Sequence, residues 1–405
     1  MDNRKLIFKE ERLGVSCFNC GSDSWLDLPS PLPNGSVTTS GVYVDQPLAK
    51  TQCAVCGLVQ RTRSTFLGLT DFYENSYANY YDRPDTYKFN SIRYKDLASW
   101  VASNCKDVAP ASILEVGCGR GWTLEALKEV FPQAILEGIE PAKDNAQIAK
   151  ERGHTVLVAK LRADNVLGKT FDLVFSNHVL QHTTDPVEFL IGCKNLVSDN
   201  GLVIHTIQDA SIPSNELMFS DQNFSFLPYH LFSFAEKAGL YPIAWVKAPS
   251  VDSLMFSQMI ICAKFPPKAE VGGKKKDEAA LMWGLEKQHH LYLKRREYVQ
   301  AWSKMDEFLC WKTEKSKHIY NFGTGMFAFQ ISRYCPNYWA KVEACLMDGY
   351  SGKFIEKPVL AFDQATFGEG DSVILGVRPL VQRSLAQRFQ EKLCDVICWD
   401  NFIEG

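Results

Sequence analysis

Nowhere in the 405 residues does an uninterrupted apolar run reach the roughly 18 residues that a membrane-crossing helix needs. Nor is one charge in excess. The 44 Lys and Arg against 47 Asp and Glu leave a formal −3, which gives a nucleic acid or a membrane surface no electrostatic footing. The start, Met1-Asp-Asn-Arg-Lys-Leu6, lacks the apolar centre of a secretion signal, so the expected compartment is the cytoplasm. In that compartment the thirteen cysteines read as reduced thiols and not as a disulfide framework. No glycine-rich turn carries the Gly-Lys-Ser/Thr ending of a phosphate loop. What remains is a soluble globular composition, 46% apolar and 22% charged, long enough for two or three domains of ~150 residues.

The chain is organised around residues 112–127. Ile113, Leu114, Glu115 and Val116 have buried-strand character and run into Gly117, Gly119 and Gly121. A helical pattern follows at once, with Leu124, Leu127, Val130 and Phe131 on one face. Strand, glycine turn and helix make the first unit of a dinucleotide-type fold, where bare backbone at a helix N-terminus meets a ligand. A second strand, Ala134 to Ile139, closes on Glu140, the separation at which such folds direct a carboxylate to ribose hydroxyls. Further strands are expected at Phe171–Phe175, ending in Ser176-Asn177-His178, and at Gly201–His205. Helices are expected near 88–104, 143–152, 186–197 and 229–238, and a hairpin from Pro242–Lys247 with Leu254–Ala263.

Read in order, Glu115-Val-Gly-Cys-Gly-Arg-Gly121, Gly138-Ile-Glu140-Pro141, Phe171-Asp-Leu-Val-Phe-Ser-Asn177-His178-Val-Leu-Gln-His182 and Gly201-Leu-Val-Ile204 resemble the successive motifs of class I S-adenosylmethionine (SAM) methyltransferases. The resemblance covers roughly residues 90–265. It implies that SAM is held by Glu115, Gly117, Gly119, Gly121, Glu140, Pro141 and Asn177. The rival for this fold is a nicotinamide-dependent dehydrogenase.

Two Cys-x-x-Cys pairs, Cys17/Cys20 and Cys53/Cys56, fit tetrahedral thiolate coordination of zinc. Four cysteine ligands leave no open position, so the metal is expected to be structural, in a module spanning 1–70. A tyrosine-dense stretch follows within 71–265, and Tyr73, Tyr77 and Tyr80 read either as half-buried packing or as the lining of a substrate cleft. Residues 266–316 combine a Pro-, Gly- and Lys-rich linker with one long amphipathic helix or two in succession. From 317 to 405 a second strand-turn-helix pattern recurs. Its Gly323-Thr-Gly325 turn, with Asp348 further on, suggests a nucleotide or sugar-nucleotide pocket, with a purely structural turn as the alternative.

A zinc module, a class I methyltransferase domain and a smaller Rossmann-like α/β domain make up the layout of the sugar-nucleotide C-methyltransferases, which this chain resembles over nearly its whole length. Cys56-Gly-Leu-Val-Gln60, Phe72-Tyr-Glu-Asn-Ser-Tyr77 and Asp348-Gly-Tyr-Ser-Gly-Lys353 leading to Lys357-Pro358-Val359 carry the likeness. The resemblance implies a nucleotide-linked sugar as substrate, bound partly by the last domain. One departure stands out: where that family has a His-Glu-His run, this chain reads Ser220-Asp221-Gln222-Asn223-Phe224-Ser225. Gln and Asn cannot act as bases. The candidate general bases are therefore His178, His182, His205, Asp221 and Tyr77, with Gln222 as a substrate-binding candidate. The alternatives are a SAM-binding scaffold without turnover, or a methyltransferase acting on another small-molecule acceptor.

Overall fold

The computed structural model describes residues 16–61, 72–77, 87–105, 109–164, 167–250, 252–254, 256–266 and 285–404. Tyr80 and most of the Lys-rich linker lie outside them. No helix among the described residues is long and apolar enough to cross a membrane.

The central sheet has seven strands: β1 (Ser112–Val116), β2 (Ile135–Glu140), β3 (Thr155–Val158), β4 (Phe171–Asn177), β5 (Val197–Gln208), β6 (Tyr241–Lys247) and β7 (Ser257–Ala263). Their order is β3-β2-β1-β4-β5-β7-β6. Strands β3 to β5 pair in parallel through β1, and β7 runs antiparallel to both β5 and β6. The interior strands are apolar on both faces because helices cover both sides of the sheet. These helices are α1 (Tyr87–Ser103), α2 (Trp122–Val130), α3 (Lys143–Glu151), α4 (Pro186–Leu196) and α5 (Pro228–Lys237). Helix α4 starts where Asp185 accepts hydrogen bonds from the Val187 and Glu188 amides and Pro186 occupies the first turn. The chain turns from β1 towards β2 and β3 on one side, while β4 and β5 continue on the other. Ligands of open α/β sheets sit at that reversal, beyond the carboxyl ends of β1 and β4.

The two ends of the chain are built onto this frame. The strands Trp25–Asp27, Lys50–Cys53 and Val59–Arg61 form a small antiparallel sheet, and Phe224–Ser225 of the central domain adds its fourth strand. Cys17, Cys53, Cys56 and Leu58 share one apolar cluster with Val116, Val174, Leu231 and Phe234. The N-terminal segment therefore has little core that is its own. The amphipathic stretch is one continuous helix, α6 (Leu285–Lys312). Its Val299, Trp302, Met305 and Leu309 are buried with Leu28, Val37 and Val59 on one side and Tyr334 and Trp399 on the other. Arg295 of α6 is fully buried and donates to Gln52 Oε1, Gly57 O and Ala210 O at 2.7, 2.9 and 2.8 Å.

The C-terminal sheet comprises β8 (Ile319–Phe322), β9 (Ala344–Met347), β10 (Gly352–Phe354), β11 (Lys357–Ala361), β12 (Asp371–Leu375) and β13 (Cys394–Ile397), in the order β10-β11-β9-β8-β12-β13. It is parallel except for the β10–β11 hairpin. Helix α7 (Met326–Tyr334) follows the Gly323-Thr-Gly325 turn, and α8 (Pro379–Ala386) follows β12.

Candidate functional site

Gly117, Gly119 and Gly121 all have φ between 53° and 82°, a left-handed region that side chains strain to enter. The first and last are also packed tight. A Cβ on Gly117 would lie 2.4 Å from Val179 Cγ2, and one on Gly121 2.5 Å from His154 Cδ2. Gly119 differs, because nothing lies within 4 Å of where its Cβ would be. Its bare backbone faces the cleft. The turn is seated on β2 by the Gly117 and Cys118 amides, which both donate to Ile139 O.

Two carboxylates converge on this elbow. Glu140, at the end of β2, accepts from Gly119 N at 2.8 Å through Oε2 and from Ala142 N at 2.9 Å through Oε1. Burial pushes its pKa up to about 7 against the pull of those two amides. Glu115, in β1, is 1% exposed, and its Oε2 has no hydrogen-bond partner among the described residues. Burial, reinforced by the neighbouring Glu140, raises Glu115 to about 8, while the Thr123 hydroxyl opposes the shift. A buried carboxylate with one oxygen unmet, beside an open glycine backbone, is a receptor for a cationic, hydroxyl-bearing ligand. The residues present thus fit a SAM molecule.

A cleft of about 1060 Å³ runs from this elbow past the carboxyl end of β4 to the C-terminal domain. It brings together Glu115, Gly117, Gly119, Glu140, Pro141, Asn177, His178, His182, Tyr73, Tyr77, Gln222 and Gly325. Its far end is closed by Lys294 and Glu297 of α6 and by Met326, Arg378 and Leu380 of the last domain. Composition and spacing gave no sign of these, nor of Thr39 from the N-terminal segment, because only the docking of three segments puts them on one wall.

Other expected residues stand elsewhere. His205 is fully buried within β5, its Nδ1 2.7 Å from Ser176 Oγ, and burial holds its pKa down at about 3. It has no face on the cleft because its side of the sheet is covered by Phe189 of α4. Asp221 is likewise buried behind the wall, accepting from the Thr39 amide at 2.8 Å and from the Thr39 hydroxyl. Asp348 is on the surface, in a bidentate pair with Arg388 that holds its carboxyl below the ordinary range. Gly323 lies beneath the turn, where a Cβ would meet Gly376 O at 2.9 Å, and only Gly325 opens to the cleft. His205, Asp221, Asp348 and Gly323, and Gly121 on the cofactor side, thus stand off the cleft lining. Sequence spacing could not tell the cleft side of a turn from its packed side.

His178 has φ 54°, an uncommon backbone state for a side-chain-bearing residue, held by its amide donating to Thr206 O at 2.8 Å. Burial, with Arg93 and His182 adding to it, lowers its pKa to about 3. His182 Nδ1 lies 2.9 Å from Asp221 O and 3.0 Å from the Tyr73 hydroxyl. The four thiols of Cys17, Cys20, Cys53 and Cys56 have their Sγ atoms within 4.8 Å of one another, about the span of a single tetrahedral metal site.

Comparison with known proteins agrees with the geometry of the central sheet. Residues 89–244 match the family model described as "Methyltransferase domain". A malonyl-[acyl-carrier protein] O-methyltransferase from Halalkalibacterium halodurans is 30% identical over 104 residues, covering 24% of this chain and 38% of that protein. A ubiquinone biosynthesis O-methyltransferase from Colwellia psychrerythraea is 30% identical over 141 residues, covering 32% of this chain and 56% of that protein. The chain spans 38 to 44% of the length of the first such relatives. Among solved structures, an S-adenosylmethionine-dependent methyltransferase from Clostridium acetobutylicum aligns at a TM-score of 0.36 and 12% identity, over 44% of this chain and 92% of that one. Residues 89–244 of this chain thus match a methyltransferase domain.

Proposed function

We propose that this protein is a SAM-dependent methyltransferase acting on a small-molecule acceptor, and that the acceptor is a nucleotide-linked sugar. The observation that carries the first half is the open Gly119 backbone flanked by Glu140 and by Glu115, whose Oε2 is unmet among the described residues. Glu115 would take the positive end of SAM, Glu140 its ribose hydroxyls, and Pro141 and Asn177 would border it. When bound, SAM supplies an activated methyl group. The chain's own work is to align the acceptor, exclude water and take up a proton.

The sugar-nucleotide half is supported by the length of the cleft, which continues beyond the elbow to Gly325 and Arg378 of a second α/β domain. Tyr73, Tyr77 and Gln222 border its middle and would meet the sugar. Gln222 has no basic function and Asp221 has no face on the cleft, so the base for a carbon or a hydroxyl acceptor has to come from elsewhere on this wall. The four clustered thiols would hold a zinc ion that ties down the N-terminal segment and stays out of the chemistry.

Incubation with methyl-labelled SAM and a panel of deoxysugar nucleotides tests this reading. Label transferred to one of them is the expected result, and loss of deuterium from a carbon beside a keto group would assign carbon over oxygen. Transfer to no sugar nucleotide, with transfer to another small molecule, would remove the sugar half and leave the enzyme class standing.

A further inference from the structure

The wall of the cleft carries two histidines in different chemical states. His182 Nδ1 is 2.9 Å from the carbonyl oxygen of Asp221. A carbonyl oxygen can only accept, so this contact, with the Tyr73 hydroxyl 3.0 Å from the same Nδ1, belongs to the tautomer that carries its proton on Nδ1. The Tyr73 hydroxyl, 3.3 Å from the same carbonyl, donates alongside. The ring's other nitrogen, Nε2, is then unprotonated. It takes no hydrogen bond among the described residues, and His182 lines the cleft. His178 is different: its Nδ1 faces the amide nitrogen of Gln181 at 3.2 Å and accepts from it, which puts the ring proton on Nε2.

We propose that His182 Nε2 is the proton acceptor in methyl transfer, with Asp221 as the residue that positions it. The inference rests on the methyltransferase reading above. In the step, the acceptor's hydroxyl proton passes to Nε2 as the oxygen's electron pair forms the bond to the methyl carbon. The bond from that carbon to sulfur breaks with its pair remaining on sulfur, which becomes a neutral thioether. The proton on Nε2 then leaves to solvent. Asp221 acts twice. Its backbone carbonyl fixes the tautomer, and its carboxylate, with Oδ2 3.7 Å from Nδ1, favours the imidazolium that forms. Thr39, reaching in from the N-terminal segment, holds that carboxylate through both its amide and its hydroxyl.

The groups facing His182 are Asp221, the Tyr73 hydroxyl, His178 and, farther off, the buried Lys50 ammonium. Burial is the largest influence and lowers the imidazole pKa below its usual value, Asp221 counters it, and Lys50 lowers it further. Of the expected bases, His205 and Asp221 have no face on the cleft, His178 Nδ1 is taken up by Gln181, and Tyr77, like the neighbouring Tyr73, is a phenol that keeps its proton near neutral pH. The spare lone pair therefore belongs to His182.

Three measurements test this. In the full-length protein, His182→Gln should lower kcat by at least 100-fold while SAM binding, read by calorimetry, changes less than threefold. Wild-type kcat in that variant would overturn the proposal. At saturating SAM, kcat should rise with pH to a plateau, with a midpoint below the ordinary histidine value. Asp221→Asn keeps the backbone carbonyl but removes the charge, so the midpoint should fall further; an unmoved midpoint would overturn the role of Asp221. Nitrogen-15 spectra of histidine-labelled protein, assigned with His182→Gln, read the tautomer without any acceptor. Nδ1–H with bare Nε2 is expected, and Nε2–H would overturn the proposal. Should SAM bind and no acceptor be methylated, the functional reading fails by itself, and the tautomer still decides this one.

Discussion

The amide of Gly119 and the carboxylate of Glu140 meet at 2.8 Å across 21 residues of chain, joining the glycine turn after β1 to the end of β2. One oxygen of Glu140 is thereby aimed along the turn, and the other is held by Ala142 N. Glu140→Ala removes both and any hydroxyl the carboxylate would accept. A charge-assisted hydrogen bond contributes about 1.5–3 kcal/mol, so SAM should bind more than tenfold more weakly. An unchanged dissociation constant by calorimetry would place the ribose elsewhere.

Glu115 gives the binding a pH dependence of definite sign. Its pKa is raised to about 8 in the ligand-free chain, chiefly by burial, so near pH 7 it is mostly protonated. A cation binds the ionised form. Affinity for SAM should therefore climb as pH rises towards 8 and level off above it, and binding at pH 7 should release a proton. Calorimetry in two buffers of different ionisation enthalpy detects that proton. In Glu115→Gln the release should shrink, and the slope that remains should fall in the range of Glu140, near 7.

Gly117 and Gly119 should fail differently when changed to alanine. At Gly117 a Cβ meets Val179 at 2.4 Å as well as a φ of 75°. That variant should lose on the order of 2 kcal/mol of stability and unfold at a lower temperature. At Gly119 there is space for the methyl, so the cost is only the strain of φ 53°, about 1 kcal/mol. Its methyl would stand where a ligand must approach, so Gly119→Ala should hurt SAM affinity more than thermal stability.

The thiol cluster is tested by its metal. The unaltered protein should contain one zinc per chain by elemental analysis, and Cys53→Ser should lose it and open the N-terminal segment to proteases. Because Cys17, Cys53 and Cys56 share a core with Val116 and Val174, the loosening should reach the central domain. A metal-free native protein would remove the zinc reading.

Arg295 holds three segments with one guanidinium. Arg295→Ala leaves Gln52 Oε1, Gly57 O and Ala210 O buried without their donor. Unmet buried acceptors cost roughly 1–3 kcal/mol each, so the unfolding midpoint should drop by several degrees. Lysine cannot span the three acceptors with one planar fork, and Arg295→Lys should recover little of the loss.

The central sheet was legible because its signals are local. Val116 entering Gly117, Glu140 closing β2 and the helical stretch near 186–197 each follow from the conformational freedom of glycine or from the periods of buried strands and helices. Strand β3 was missed. It is a short edge strand in which only Val156 is buried, and its apolar run Val156-Leu157-Val158 is brief. The β10–β11 hairpin escaped for a similar reason, since Gly352, Lys353 and Lys357 give it little apolar alternation.

Sequence alone, then, determined that a glycine elbow with a carboxylate on each neighbouring strand stands at the head of an α/β domain, because those features depend on residues close along the chain. Only the tertiary structure decided which of the expected histidines line the cleft and which partners they meet. That choice rests on Asp221 O reaching His182 across 39 residues, and on Thr39 holding Asp221 across 182. Hydrogen bonds between such distant residues exist only once three segments have packed together. No local periodicity encodes them.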